Sequence, residues 1–322
     1  PSTTMKPIHL LRLRNFPIFK QLQIEESIYR SKNAGNWLII NQGTPEPIVV
    51  MGISGKPDRL VHLQKAADMN VPIMKRFTGG GTVIVDEHSL FTSFIMDNDW
   101  LAAQGIDTKA PRNIMKWSET FYRNVFRDHP DFSLMEHDYS FGHHKFGGNA
   151  QALSRSRFVH HTSFLFDFDD KRMAVLKQPE KTPEYRQGRD HLSFLCKLKD
   201  RYTDTETIAT NIEDTMRSFH QIVLASTVGN KDIFIDDDVV TSRSRSSSTN
   251  DINSQLLGDN NNDTQNEQEQ QNHHILRDAS FINVTLQDAM RYFETGEHHQ
   301  SNILFDPKEL LAKQLELQQQ QQ

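Results

Sequence analysis

The stretch RFTGGGTVIVD, residues 76–86, places three consecutive glycines shortly after an arginine. Glycines lose much backbone entropy on ordering, so a compact domain carries three together where the backbone must come very close to another group. The stretch is neither a Walker A loop nor a GxGxxG fingerprint. The glycines alone are equally typical of a tight turn between strands and of a binding loop. Arg76 favours an anion site, because a cation beside exposed backbone N–H groups attracts negative charge.

A second segment of interest is HKFGGNAQ, residues 144–151. Lys145 stands two residues before Gly147 and Gly148, and Asn149 and Ala150 follow. Small residues and an amide therefore flank one cation. Alone, the segment is more typical of a surface lysine beside a hairpin turn.

The histidines and the single cysteine offer little by themselves. His160 and His161 are successive in the apolar run RFVHHTSFLFDFD, which predicts a strand, so they point to opposite faces and cannot both ligate one metal in simple geometry. No HExxH or HxxxH spacing occurs, so we predict no dedicated metal site and favour a histidine that lines a pocket. Cys196 follows Phe194 and Leu195, which predicts a small buried residue rather than a nucleophile.

The elements that must position these segments follow from hydrophobic periodicity. Helices are predicted at residues 17–30, 112–126 and 206–224, and strands at 37–41, 47–52, 71–77, 82–86, 90–96 and 157–169. Strands and helices are mixed without strict βαβ alternation. This order predicts an α+β fold with a mixed, largely antiparallel sheet flanked by helices.

Composition divides the chain into three parts. Of the 322 residues, 36% are hydrophobic, but residues 242–272 consist mainly of Ser, Asn, Gln and Asp. Such a segment cannot bury enough apolar surface to order itself. Capping signals predict two short helices after it, at 284–293 and 306–318. We therefore predict a globular domain over 1–240, a disordered insertion over 241–275, and a small helical appendage with a glutamine tail over 276–322.

Charge and apolar runs exclude some partners. Lys and Arg number 36 and Asp and Glu 42, a net charge of −6, which argues against a general nucleic-acid binder. Basic residues do cluster in RSRF and in YRQGRDH, which leaves room for a phosphorylated small molecule. No apolar stretch approaches the roughly 18 residues needed to cross a bilayer. One cysteine allows no internal disulfide and fits a reducing compartment.

The order of the three motifs is more specific than any one of them. KRFTGGGTVIVD comes first, KFGGNAQ follows about 65 residues later, and RFVHHTSFLF about ten further on. This succession resembles the biotin/lipoate protein ligase family, in its lipoate–protein ligase branch. That branch carries Arg-Arg-x-(Ser/Thr)-Gly-Gly-Gly, Lys-x-(Ser/Gly)-Gly-x-Ala and His-His-Gly-Thr. LQIEESIY, residues 22–29, is similar to the branch's first helix, which carries Glu-Glu. The resemblance covers roughly residues 8–200.

The resemblance implies a fold related to class II aminoacyl-tRNA synthetases and biotin ligases. It implies that lipoate attacks the α-phosphate of ATP, with Mg²⁺ accompanying the nucleotide, to give lipoyl-AMP and pyrophosphate. The acyl group then passes to a lysine of a lipoyl carrier domain, in a 2-oxoacid dehydrogenase or the glycine cleavage H protein. The resemblance thus makes residues 1–240 the catalytic domain.

The resemblance also implies site residues. Lys145 matches the essential lysine, which would neutralise the α-phosphate and polarise the acyl carbonyl. The residues expected to bind acyl group or nucleotide are Arg76, Thr78, Gly79, Gly80, Gly81, Thr82, Gly147, Gly148, Asn149, Ala150 and His161. The glycines would let backbone N–H groups reach the adenylate without an intervening Cβ.

Departures from the pattern leave alternatives open. Lys75 stands where the family has its first arginine, and Thr162 replaces a glycine, which we expect to add bulk near the pocket. The accessory domain linked to adenylation in the bacterial ligase is not recognisable. Whether this chain makes its own acyl-adenylate or only transfers one is therefore open. The rivals are an octanoyltransferase that takes its acyl group from acyl carrier protein, and a non-catalytic scaffold for lipoyl domains.

The expected protein is an intracellular, soluble monomer without nucleic-acid or membrane partners. Mitochondrion, plastid and cytoplasm all stay open as its compartment.

Overall fold

Two sheets and the helices around them make up the fold. The computed structural model describes residues 6–178, 182–227, 281–295 and 301–320; the predicted insertion at 241–275 lies outside these ranges. In chain order the strands are β1 (Ile8–Arg14), β2 (Asn36–Gln42), β3 (Ile48–Met51), β4 (Ile73–Lys75), β5 (Val83–Val85), β6 (Ser89–Asp97), β7 (Phe132–Met135), β8 (Asp138–Phe141), β9 (His144–Leu153), β10 (Arg157–Leu165), β11 (Phe281–Asn283) and β12 (Ile303–Phe305).

The larger sheet has the order β11-β1-β2-β6-β10-β9-β8-β7. Its β1–β11 and β1–β2 pairs are parallel, and the other pairs are antiparallel. The smaller sheet has the order β12-β4-β3-β5, in which only the β3–β4 pair is parallel. The predicted α+β fold with a mixed, largely antiparallel sheet is confirmed.

The helices cover both faces of the larger sheet. Their bounds are α1 (Ile18–Arg30), α2 (Pro57–Leu60), α3 (Leu63–Asp68), α4 (Asn98–Ala102), α5 (Pro111–Val125), α6 (Asp170–Met173), α7 (His191–Phe194), α8 (Thr205–Thr227), α9 (Leu286–Thr295) and α10 (Pro307–Gln320), with 3₁₀ turns at Glu184–Arg186 and Leu198–Asp200. Within the described ranges, no helix combines the length and apolarity that a bilayer crossing requires.

Alternation along β10 separates the two faces of the larger sheet. Phe158 and Phe164 belong to a core cluster that also contains residues of α5 and α8. Val159, between them in sequence, packs in a different cluster with Ile24 and Ile28 of α1. A strand with a period of two produces this division. The central sheet is therefore buried on both faces, and polar groups on β10 must find partners inside the protein.

Two local expectations are wrong. The glycine stretch does not turn between paired strands, because β3 lies between β4 and β5 and pairs with both. Residues 147–150 do not form a loop or a hairpin turn; they belong to β9, which pairs with β10 on one side and β8 on the other. In both cases non-local pairing decides the conformation, and the local sequence does not show it.

The C-terminal part forms the two predicted helices, α9 and α10. It also supplies β11 and β12, two short strands that the sequence did not indicate, and these extend one sheet each. The division of the chain at residues 240 and 276 stays a prediction.

Candidate active site

The glycine stretch crosses over the end of β3. Residues 76–82 leave β4, pass the chain that follows β3, and return as β5. A Cβ on Gly52, directly after β3, would lie 2.3 Å from the carbonyl oxygen of Gly80. Position 52 therefore needs glycine because the crossover packs directly on it.

The glycines of the crossover have different roles. Gly80 has φ +115°, and a Cβ there would lie 2.7 Å from Nη2 of Arg76 and 2.9 Å from both Asn149 O and Ala150 Cβ. A Cβ on Gly81 would meet nothing within 4 Å. Gly80 is therefore glycine for close packing and conformation, whereas Gly81 faces open space. The glycine stretch therefore packs against a neighbouring strand at Gly80 and borders a cavity at Gly81.

Arg76 holds this crossover together from inside. It is 3% exposed, and its Nη2 donates to the carbonyls of Gly79 (3.1 Å) and Gly81 (2.9 Å). Its Nε donates to Oγ1 of Thr78 at 2.9 Å. Burial lowers the pKa of Arg76 to about 10, so the side chain stays cationic at neutral pH. The cation is thus built into the loop and adds positive charge beneath it.

A chain of buried hydrogen bonds continues from Arg76 to α1. Oγ1 of Thr78 lies 3.1 Å from Nε2 of His161, and Nδ1 of His161 lies 3.2 Å from Oε2 of Glu25. Thr78 already accepts from Arg76, so its hydroxyl donates to Nε2, and Nδ1–H donates to the carboxylate. Burial lowers the pKa of His161, which favours the neutral imidazole that this arrangement requires.

His160 lies on the opposite face of β10, as its place in a strand predicts. Its Nδ1 lies 3.0 Å from Nε2 of Gln151, and its Nε2 lies 3.3 Å from the hydroxyl of Tyr139. Burial lowers the pKa of His160 to about 3. This histidine is a neutral part of the core; of the pair, only His161 lines a cavity, and His137 lines it as well.

Lys145 is held by an ion pair. Its Nζ lies 2.8 Å from Oδ1 of Asp138 on the neighbouring strand β8, and its side chain is 22% exposed. The other carboxylate oxygen of Asp138 accepts from the hydroxyl of Tyr185 at 2.9 Å. Asp138 thus fixes the lysine while it stays accessible, a geometry that lets an incoming anion share or take over the ammonium group.

Two cavities meet at this lysine. The first has a volume of about 360 Å³ and the second about 550 Å³. Both are lined by Gly80, Gly81, Thr82, His137, Asp138 and Lys145. The first cavity continues past Arg76 and His161 between apolar side chains that include Val50, Val83, Phe91, Met115 and Leu153. The second continues past the basic residues Lys56, Arg59, Lys177 and Arg186. The first cavity is therefore the more apolar of the two, and the second is the richer in basic side chains.

Most of the predicted site residues come together here. Those that line a cavity are Lys145, Arg76, Gly79, Gly80, Gly81, Thr82, Gly148, Asn149, Ala150 and His161. Thr78 lines neither and acts through Arg76 and His161. Gly147 also lines neither: a Cβ there would lie 3.1 Å from the rings of Tyr139 and Phe164, so this glycine serves core packing.

Thr162 does not add bulk to either cavity, contrary to expectation. It is buried, and its hydroxyl donates to Oδ1 of Asn149 at 2.6 Å. Nδ2 of Asn149 in turn donates to the carbonyl of His137 at 3.0 Å. Thr162 therefore fixes the amide of Asn149, which does line the first cavity.

The sequence reading missed a contact from the C-terminal segment. β12 pairs with β4, and Asn302, just before β12, is 6% exposed. Its Oδ1 accepts from the backbone N–H of Phe77 at 3.1 Å, and its Nδ2 donates to Oε2 of Glu26 at 2.9 Å. Asn302 thus ties the residue after Arg76 to α1. An asparagine in a polar stretch about 225 residues away carries no local signal of this role.

Asp138 and Glu25 were missed for different reasons. Asp138 lies in a short strand that the sequence did not predict. Glu25 lies in the quoted Glu-Glu pair and is fully buried, where it also accepts from Ser93 and Gln21. A carboxylate on an otherwise apolar helix face was the available signal for it.

Cys196 is unsuited to nucleophilic chemistry here. Burial raises its pKa to about 11, its Sγ lies 3.3 Å from the carbonyl of His144, and it lines neither cavity. Among the described residues, no three or more His, Cys, Asp or Glu side chains gather where they could hold a metal ion.

Comparison with known proteins identifies the family. The family model of the lipoyl protein ligase A/B catalytic domain matches residues 17–220. The chain belongs to this family. The predicted recognition is confirmed, and the match includes Arg76, Lys145 and His161.

One relative of the lipoyl protein ligase A/B family is a Plasmodium falciparum protein named inactive lipoate–protein ligase 2. It is 28% identical over 246 residues, which cover 60% of this chain and 63% of the relative. The chain therefore spans less than two thirds of the length of that relative.

Two solved lipoate ligases share the fold. A bipartite lipoate protein ligase of Thermoplasma acidophilum, studied together with its E2 lipoyl domain, has a TM-score of 0.55 at 19% identity, over 67% of this chain and 84% of that chain. Lipoate–protein ligase A bound with ATP has a TM-score of 0.53 at 18% identity, over 67% and 85%. These similarities establish the fold of the family in this chain.

Proposed function

We propose that this chain is a lipoate–protein ligase or lipoyltransferase. It forms or uses lipoyl-AMP and attaches lipoate to a lysine of a lipoyl carrier domain. The observation that carries this proposal is the position of Lys145, which lies with residues 80–82 at the junction of an apolar and a basic cavity. A mixed anhydride between a carboxylic acid and a phosphate has this same polarity, with an apolar acyl chain on one side and an anionic nucleotide on the other.

The two cavities suit the two ends of lipoyl-AMP. The first offers apolar walls and the neutral His161, which suit an acyl chain. The second offers basic side chains and the glycine crossover, which suit nucleotide phosphates. Mg²⁺, where ATP is used, would neutralise charge on the phosphates and be held mainly by them.

The residues of the junction can serve both steps. In the first step a carboxylate oxygen bonds to the α-phosphorus of ATP, and the bond to pyrophosphate breaks. In the second, the amine of the carrier lysine bonds to the acyl carbon, AMP leaves, and the amine loses a proton. Negative charge develops at the α-phosphate and then at the acyl oxygen. Lys145, steered by Asp138, is placed to stabilise both.

A non-catalytic scaffold is the second candidate, because the Plasmodium falciparum relative is named inactive. The name applies to that protein. In this chain the lysine, the buried arginine and His161 all line the first cavity, which supports a working site. The octanoyltransferase that would use an acyl-thioester cysteine gains no support from Cys196, whose raised pKa disfavours the thiolate.

The test is the intact mass of a purified lipoyl domain after incubation with this protein. One arm contains lipoate, ATP and Mg²⁺, and the other contains pre-made lipoyl-adenylate. We expect a lipoyl mass gain in the adenylate arm at least. In Lys145→Ala we expect the rate of this gain to be about 10²- to 10³-fold lower. Lys171→Ala, an exposed lysine on α6 that lines neither cavity, is the matched control.

Three results separate the candidates. Gain in both arms identifies a complete ligase, and gain only with lipoyl-adenylate identifies a transferase. No gain in either arm, nor with octanoyl acyl carrier protein, contradicts the proposal and supports the scaffold. The compartment, the monomeric state and the identity of the carrier protein stay predictions.

A further inference from the structure

The proposed chemistry leaves one arginine cluster unused. Of the two basic stretches in the sequence, RSRF is structural: Arg157 donates to the carbonyls of Ile28 and Ser31 at the end of α1. The other, YRQGRDH, contributes one described residue to the lining of the second cavity. Its Arg186 lines that cavity and is only 3% exposed.

The guanidinium of Arg186 is only partly satisfied. Its Nε donates to the carbonyl of Arg189 at 2.8 Å, and it lies over the ring of Phe194 at 5.0 Å. Its Nη2 is buried and has no hydrogen-bond partner among the described residues. A buried cationic donor without an acceptor costs free energy, so a ligand that supplied the acceptor would recover that cost on binding.

Neighbouring residues hold the side chain of Arg186 in place before any ligand binds. Arg189 donates to the carbonyl of Arg186 and, through its Nη2, to those of Tyr185 and His143. The guanidinium group of Arg189 also lies over the ring of Phe194, at 5.3 Å. This packing fixes the side chain, so a ligand would meet an ordered guanidinium rather than a mobile one.

Among the described residues, the carboxylates that line this cavity are those of Glu136 and Asp138, and both are already engaged. Glu136 accepts from the backbone N–H of Glu184 and of Tyr185. Asp138 pairs with Lys145 and accepts from the hydroxyl of Tyr185. The basic side chains Lys56, Arg59, Lys145, Lys177 and Arg186 therefore outnumber them, which favours a ligand with several negative charges.

We propose that Arg186 binds the β- and γ-phosphates of ATP, and then the pyrophosphate that leaves. The proposal rests on the proposed function, because it places the α-phosphate at Lys145. When the carboxylate oxygen bonds to the α-phosphorus, the bridging oxygen departs with its electron pair, and Arg186 stabilises the charge that accumulates on pyrophosphate. A chain that only transfers a ready-made adenylate has no pyrophosphate to hold. Arg186 therefore assigns adenylation to this chain.

The test uses pyrophosphate as the probe and AMP as its comparison. Binding is measured by calorimetry on the full chain, with Arg186→Gln as the variant. Arg14→Gln is the control, since Arg14 is an exposed arginine that pairs with Glu206 and lines neither cavity. We expect Arg186→Gln to weaken pyrophosphate binding about 10- to 100-fold and AMP binding less than about threefold. We expect Arg14→Gln to change neither.

The transfer assay gives an independent readout. In Arg186→Gln we expect lipoylation from lipoate and ATP to fall at least tenfold, while lipoylation from pre-made lipoyl-adenylate stays within about threefold of the wild type. Arg186→Lys keeps the positive charge but loses the forked guanidinium donors. Its rate with lipoate and ATP should therefore lie between those of Arg186→Gln and the wild type, and it replaces Arg186→Gln if that variant does not fold.

The proposal is overturned if the wild-type chain binds no pyrophosphate, or if Arg186→Gln binds it as tightly as the wild type. Equal weakening of pyrophosphate and AMP would also overturn it. If wild-type protein transfers nothing even from lipoyl-adenylate, the proposed function fails, while the pyrophosphate comparison still decides whether Arg186 forms an anion site.

Discussion

Substitution of single glycines in the crossover separates its structural and binding roles. Gly80→Ala and Gly81→Ala add the same methyl group one residue apart. At position 80 the new Cβ enters a backbone with φ +115° and lies 2.9 Å from the carbonyl oxygen of Asn149. At position 81 it enters open space beside both cavities.

The expected cost at position 80 has two parts. A non-glycine residue in such a conformation costs about 1–3 kcal/mol. The methyl group also displaces Nη2 of Arg76, which donates to the carbonyls of Gly79 and Gly81, and each lost hydrogen bond costs about 1 kcal/mol. We therefore expect Gly80→Ala to lower the free energy of unfolding by about 3–5 kcal/mol and Gly81→Ala by less than about 0.5 kcal/mol.

Denaturant unfolding of the ligand-free chain measures this difference in stability. The affinity of each variant for lipoyl-adenylate then tests the binding role of the crossover. Gly81→Ala should keep its stability but bind the adenylate more weakly, because its methyl group occupies cavity space. Equal stability of Gly80→Ala and wild type would refute the assignment of Gly80 to close packing. Unchanged adenylate affinity in Gly81→Ala would refute the placement of the ligand against the crossover.

Three further predictions concern other parts of the structure. The pKa of His160 is about 3 when folded and about 6.5 when unfolded, so the unfolded chain takes up a proton first as the pH falls below about 6.5. His160 therefore lowers stability by up to about 1.4 kcal/mol per pH unit down to about pH 3. The free energy of unfolding of His160→Gln, measured against pH, should fall less steeply in this range. An identical pH profile would contradict a neutral buried His160. Asn302→Ala leaves the N–H of Phe77 and the carboxylate of Glu26 without this partner. It should therefore lower the free energy of unfolding, measured by thermal unfolding, by about 1–3 kcal/mol and slow lipoyl transfer, whereas the control Ser301→Ala should do neither. A wild-type rate of transfer in Asn302→Ala would show that the C-terminal contact does not position the site. Cys196→Ala should keep lipoyl transfer by intact mass within about threefold, and its complete loss would revive a thioester mechanism.

Local sequence patterns predicted the long helices well, but not the seven-residue β1 or the ten-residue β9. The predicted helix at 17–30 is Ile18–Arg30, and the predicted helix at 112–126 is Pro111–Val125. Both combine proline near the first turn with an apolar face, a strong local signal. The strands β7, β8, β11 and β12, with three or four residues each, were missed. The strands β3, β4 and β5 are as short, but apolar runs beside Gly or Pro marked them.

The candidate site could be predicted as a set of motifs but not as a geometry. The resemblance placed Lys145 and Arg76 in one site, and the structure brings them to one cavity. The partners that orient them come from distant parts of the chain: Asp138 for Lys145, and the segment at Asn302 for the residue after Arg76. Such contacts depend on strand register, which the hydrophobic pattern of a fully buried sheet specifies only weakly.

The most direct test of this account is a crystal structure with a non-hydrolysable analogue of lipoyl-adenylate. We expect the acyl chain in the first cavity near His161 and the nucleotide in the second. The bridging group should lie within hydrogen-bond distance of Nζ of Lys145. An analogue bound with its acyl chain among the basic residues of the second cavity, or with Lys145 paired only to Asp138, would contradict the account.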